Sequence, residues 1–187
     1  WLSNRGLQAD IARDQVVKRC DEQGVVLVQD KPFDITPACE VLRNWDGRLH
    51  ADSRGAVLWR EFLTSFSWAD LTDRGSLYDV GFDPADPINT PNTVGDDTAV
   101  VNALAQAMLV LTERGWPLDI PLGDVQFDGR TVDDPVGLPG GNNREGAASI
   151  VGCCSGANTM GTLGDPDAPG YPVTFGNSFV MTIEFTA

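Results

Sequence analysis

Near residue 116 the chain changes its hydrophobic rhythm, and this break constrains the fold more than any other feature of the sequence. Before it, apolar side chains recur at the i, i+3, i+4 and i+7 spacing that gathers them on one face of a helix. After it, Gly, Asn, Asp and Pro interrupt the chain so often that only short strands fit between them. The expectation is an α+β fold, with a mainly helical segment over residues 1–116 and a loop-rich β segment over 117–187.

Three helices are predicted in the first segment. Residues 97–114 carry Val100, Leu104, Met108 and Leu111 along one stripe, with Asp96 and Asp97 at the positive end of the helix dipole and Gly115 just past the last turn. Residues 54–67 place Trp59, Phe62, Leu63 and Phe66 on one face. A helix over 35–45 opens with Thr36 as N-cap and Pro37 in the first turn, where a missing N–H costs nothing. The motif FDPADPINTP, residues 82–91, holds three prolines and reads as an extended, turn-rich crossing. Strand candidates are 125–127, 148–152 and 179–186, the last apolar on both faces as in a strand buried on both sides. Residues 136–170 show no period, and a loop of that length is functional or held by a neighbour.

Charge narrows the partners. With 27 acids against 13 bases the formal charge is -14, the opposite of what a nucleic-acid backbone attracts. No apolar run reaches the roughly 18 residues of a membrane helix, so neither nucleic acid nor membrane is an expected partner. GLPGG, residues 137–141, lacks the Gly-Lys-Ser/Thr ending of a phosphate loop.

Conventional catalytic sets are thin. His50 is the only histidine and sits in the polar turn WDGRLHADSRG, where a capping or surface role suits it better than a triad. Asp83 with Asp86, and Asp133 with Asp134, are read as turn and cap acids before they are read as glycosidase carboxylates or calcium ligands. In Asp52-Ser53-Arg54-Gly55, Ser53 can cap the following helix, Asp52 can sit at its dipole end and Arg54 can fork onto Asp46. Trp45, Trp59 and Trp68 are expected as core or interface rings rather than as an acyl pocket. Cys20 and Cys39 flank a proline-containing segment and could close a disulfide; the adjacent Cys153 and Cys154 are poor partners for each other. Without CxxC spacing or a histidine cluster a zinc site has no support.

Three segments do carry a family likeness: CEVLRNWDGRLHADSRGAVLWREF at 39–62, FDPADPINTP at 82–91 and GYPVTFGNSFVMTIEF at 170–185. In order and spacing they resemble the carboxy-terminal part of the large subunit of penicillin-acylase-type amidases, in particular those that cut long-chain acyl amides such as acyl-homoserine lactones and lipopeptides. The likeness is weakest over residues 6–32. It implies a fragment of the αββα sandwich of the N-terminal-nucleophile (Ntn) hydrolases, with residues 179–186 as one of its strands. It also implies amide hydrolysis through an acyl-enzyme, no cofactor, and an exported, secreted or periplasmic enzyme. The partners implied are the small subunit, the amino-terminal part of the large subunit and a small acyl amide substrate.

Such enzymes use an amino-terminal Ser, Thr or Cys whose own amine is the general base. Trp1 can play neither part, so the nucleophile is expected upstream and the chain alone is expected to be inactive. Leu2-Ser3-Asn4-Arg5 resembles the family segment whose arginine braces the oxyanion-binding network, which makes Arg5 a supporting site residue; Asn4 lies too close to it to be the oxyanion Asn. The competing reading is a non-catalytic extracellular binding module, favoured by the long Gly/Asn loop.

Overall fold

The computed structural model describes residues 4–95, 97–129, 135–147, 169–173 and 176. Along the chain come α1 (Leu7–Gln23), β1 (Val25–Val28), β2 (Lys31–Asp34), α2 (Thr36–Asn44), α3 (Ala56–Thr64), β3 (Tyr78–Val80), β4 (Asn92–Val94), α4 (Asp97–Glu113), α5 (Leu122–Val125), β5 (Gln126–Asp128), a 3-10 turn at Asn143–Glu145, and β6 (Tyr171–Val173). Helices and strands are mixed. Among the described residues the strands pair two by two: β1 with β2 and β3 with β4 antiparallel, β5 with β6 parallel.

Helix α1 lies where the family likeness is weakest. It buries Ala9, Ala12, Val16 and Cys20 in one stripe and turns Asp10, Asp14 and Lys18 to solvent. Gly24, at φ 64°, ends it by donating its N–H to the Cys20 carbonyl, a conformation open to Gly at little cost. The chain then reverses through Gln29 and Asp30, both at positive φ, into the β1–β2 hairpin. Buried Cys20 of α1 is joined to buried Cys39 of α2 by a disulfide across 19 residues. Reducing it is expected to lower stability by about 3 kcal/mol on the chain-entropy argument. Urea midpoints that coincide with and without reductant would remove this claim.

Helix α2 starts at Thr36, which is already helical. The expected cap is therefore displaced by two residues: Asp34 accepts from the Thr36 N–H at 2.9 Å and the Thr36 hydroxyl at 2.7 Å. Ser53 likewise does not cap α3. Its Oγ accepts the His50 N–H at 3.0 Å within the preceding turn, and Gly55 occupies the N-cap position. Gly55 stands at φ 118° with the Trp45 ring against it, so a Cβ there would meet Trp45 at 2.7 Å.

Helix α3 buries every residue from Ala56 to Leu63 and packs against α2 and α4. An aromatic run passes through it: Trp45 and Trp59 at 6.0 Å, Trp59 and Phe62 stacked at 4.9 Å, Phe62 and Phe66 edge-on at 5.2 Å. On α4, Val100, Leu104, Met108 and Leu111 are buried, and Gly115 follows at φ 68°. The core that these helices share also takes in Leu122, Val125, Ala147 and Tyr171 from beyond residue 116. The strand expected at 125–127 begins one residue later, because Leu122–Val125 closes a helical turn first. Strands expected at 148–152 and 179–186, and Cys153 and Cys154, lie outside the described residues. Within them, no helix is long and apolar enough to cross a membrane.

Candidate functional site

Arg60 and Glu61 sit in the middle of α3, a helix with no exposed face to send them to, so the fold must bring partners inward. Arg60 forks onto Glu145, Nε to Oε1 at 3.1 Å and Nη2 to Oε2 at 3.2 Å, with side chains 4% and 0% exposed. Two parallel bonds hold both groups in one plane. Glu145 belongs to the 3-10 turn, where its carboxylate also accepts the Asn142 N–H at 2.8 Å while Asn142 Oδ1 accepts the Glu145 N–H at 3.2 Å. That reciprocal cap closes the turn, and the Arg60 fork pins it to α3.

Tyr171 of β6 completes the cluster. Its ring lies 4.6 Å from the Arg60 guanidinium carbon, and its hydroxyl donates to Glu61 Oε1. Burial pushes the Glu61 carboxyl above the usual carboxylate range, opposed by the Tyr171 hydrogen bond and by Arg60 and Arg114. Burial and the neighbouring Glu61 raise the Tyr171 phenol well above its ordinary value. Arg60 Nη1 and Trp59 Nε1 are buried and have no hydrogen-bond partner among the described residues.

The other sequence candidates are scattered. Arg5 pairs with Asp10 at 2.9 Å and its side chain is 59% exposed; its backbone bridges Arg48, and Asn4 accepts the Leu49 N–H at 2.8 Å. Arg54 does not reach Asp46. It pairs with Asp119 Oδ2 at 3.2 Å and the Asp119 carbonyl at 3.1 Å, while Asp46 is taken by Arg48. Trp45 and Trp59 are core rings, whereas Trp68 is half exposed with the Arg144 guanidinium over it at 4.7 Å. Asp83 and Asp86 serve turns, accepting from the Ala85 N–H and the Asn89 amide. Asp133 and Asp134 lie outside the described residues. Among those described, no three His, Cys, Asp or Glu side chains are grouped as a metal site.

An open depression of about 700 Å³ lies between the turn preceding α3 and the α5–β5 corner. Asp52, Arg54, Asp124, Phe127 and Gly137 are among its lining residues, and none of the lining residues is a Ser, Thr or Cys. Among the described residues its lining therefore carries no hydroxyl or thiol side chain.

Residues 4–187 match the profile of the penicillin amidase family. The chain belongs to that family. It is 31% identical to aculeacin-A acylase of Actinoplanes utahensis over 191 residues, covering 98% of this chain and 21% of that protein. Against acyl-homoserine lactone acylase PvdQ of Pseudomonas savastanoi pv. phaseolicola it is 26% identical over 190 residues, with 98% and 22% covered. Against PvdQ of Pseudomonas syringae pv. syringae it is 33% identical over 98 residues, with 49% and 12% covered. The chain thus spans at most about a fifth of the length of these curated relatives. Within this penicillin amidase chain the buried set Arg60, Glu61, Glu145 and Tyr171 escaped the reading of the sequence. The signal was there in WREF: two charges between core aromatics, on a helix without a polar face.

Proposed function

We propose that the chain is the carboxy-terminal part of the large subunit of an Ntn-type acylase that hydrolyses acyl amides, with the nucleophile supplied by polypeptide outside these 187 residues. The observation that carries this reading is the coverage: 98% of the chain aligns with 21% of aculeacin-A acylase. In the reaction the nucleophile's oxygen or sulfur bonds the acyl carbon, the amine leaves with a proton, and water then releases the acid. No cofactor is needed for those steps. Residues 179–186 would be one strand of the αββα sandwich, and the enzyme would be secreted or periplasmic, where the Cys20–Cys39 disulfide is preserved.

The role left to this chain is support. Its buried latch of Arg60, Glu145 and Tyr171 fixes α3, the 3-10 turn and β6 against one another. Arg5, exposed at 59%, would reach the oxyanion-binding network in the assembled enzyme and position it. The chain alone is expected to release no chromophore from a chromogenic acyl anilide, while the full acylase polypeptide does. Turnover by the chain alone overturns the assignment of the nucleophile elsewhere. Inactivity of the full polypeptide on acyl anilides, acyl-homoserine lactones and lipopeptides favours the alternative, a non-catalytic extracellular binding module that uses the open depression.

A further inference from the structure

The motif FDPADPINTP connects β3 to β4, and nothing in the buried latch or the core uses it. Its residues are largely outside: Phe82 to Asn89 are all exposed, Phe82 by 48% and Ile88 by 92%. Val80, on β3, is exposed as well. Three large apolar side chains in so short a stretch are an uncommon outlay of surface for a polar turn.

The connection is nevertheless firmly held. Asp83 donates its N–H to Thr90 Oγ1 at 2.8 Å, Thr90 Oγ1 donates to the Asp86 carbonyl at 2.7 Å, and Asp86 donates its N–H to the Asp83 carbonyl at 3.0 Å. Ala85 N–H and the Asn89 amide bond the Asp83 and Asp86 carboxylates, and Phe82 N–H bonds the Thr72 carbonyl at 2.6 Å. Gly81 has the backbone of Asp73 and Arg74 against it, so a Cβ there would meet Arg74 N at 2.5 Å. A side chain displayed on a braced loop loses little conformational freedom when it is buried by a partner. That is how an interface anchor is built.

Charge says what the partner looks like. Residues 70–91 carry Asp70, Asp73, Asp79, Asp83 and Asp86 against Arg74 alone, and all but Asp70 of these acids are exposed. The whole chain stands at -14, so a second copy would meet like charge. Meanwhile 98% of this chain accounts for only 21% of one relative and 22% of another, so most of such a protein lies elsewhere in the polypeptide.

We infer that the β3–β4 connection is a docking element: Ile88 plugs an apolar pocket with a Lys/Arg rim on the acylase polypeptide outside these 187 residues, and Phe82 and Val80 seal its edge. The inference rests on the reading that the chain works within a larger acylase. The test is photo-cross-linking in the full polypeptide, with p-benzoylphenylalanine placed at position 88 and, as control, at exposed position 18 on α1. Position 88 is expected to cross-link to peptides outside residues 1–187 in roughly tenfold higher yield than position 18, as for a buried anchor against a solvated site. Yield no higher than the control overturns the inference. So does a covalent dimer joined through position 88, which would make a second copy the occupant. Assaying the same preparation on an acyl anilide separates the two claims. Turnover without the cross-link sinks the docking element and leaves the acylase; the cross-link without turnover does the reverse.

Discussion

Replacing Arg60 by Ala is expected to destabilise the protein by about 3–5 kcal/mol, because it leaves the Glu145 carboxylate buried with no countercharge. The loss goes beyond one ion pair. Glu145 caps its own turn through the Asn142 N–H, and the Tyr171 ring loses the guanidinium it stacks on. Arg60→Met combined with Glu145→Leu should recover part of the loss, since the double change removes both charges from the interior together. Arg54→Ala is the contrast: its pair with Asp119 is solvent-exposed, and such pairs contribute at most about 1 kcal/mol. Urea unfolding of the four proteins measures all of this. An Arg60→Ala variant within 1 kcal/mol of the parent would mean that the ion pair does not hold α3 to the turn.

Alkali is expected to unfold the protein in a single step reported by its two tyrosines. Both Tyr78 and Tyr171 are buried, with hydroxyls that donate to Gln8 and Glu61, and burial raises both phenols well above their ordinary value of 10.0. The sign follows from linkage. The native state holds both phenols neutral while the unfolded chain ionises near pH 10, so their contribution is intact below that pH and is lost as pH climbs towards the folded-state values. Each pH unit above 10 removes about 1.4 kcal/mol per phenol, or about 3 kcal/mol for the pair. Phenolate absorbance and loss of circular dichroism should therefore rise together. Phenolate appearing near pH 10 with the dichroism unchanged would show that neither hydroxyl is protected.

What the sequence made legible follows from how local each cause is. The stripe Val100, Leu104, Met108, Leu111 and the terminal Gly115 are written within one helix, and α4 appears where they place it. Helix α1 was harder to see, because its buried face is made of Ala9, Ala12, Val16 and Cys20, small side chains that give a faint period among many charges. The caps of α2 and α3 went to other residues. Asp34 outcompeted Thr36 because its longer reach spans two residues to the first free N–H, and Ser53 was drawn to the His50 N–H of its own turn. Arg54 had Asp46 near in sequence, yet the fold set Asp119 beside it, a pairing across 65 residues that no spacing rule contains.

The candidate site follows the same logic. Arg5 was singled out by likeness to the family, and its contact with Asp10 is local. The Arg60–Glu145 fork and the Tyr171–Glu61 bond join residues 85 and 110 apart, and so could only be found in three dimensions. Burial of a charge is visible in sequence as a puzzle. Its solution is not.

Those same separations bear on how the chain comes off the ribosome. Synthesis delivers α3 early, with Arg60 and Glu61 on a helix that is otherwise apolar from Ala56 to Leu63, and delivers Glu145 and Tyr171 much later. Until they arrive, packing α3 would strand two charges, which offsets part of what its apolar side chains gain by closing. Translation therefore has to run through Tyr171 before α3 gains its full set of polar partners.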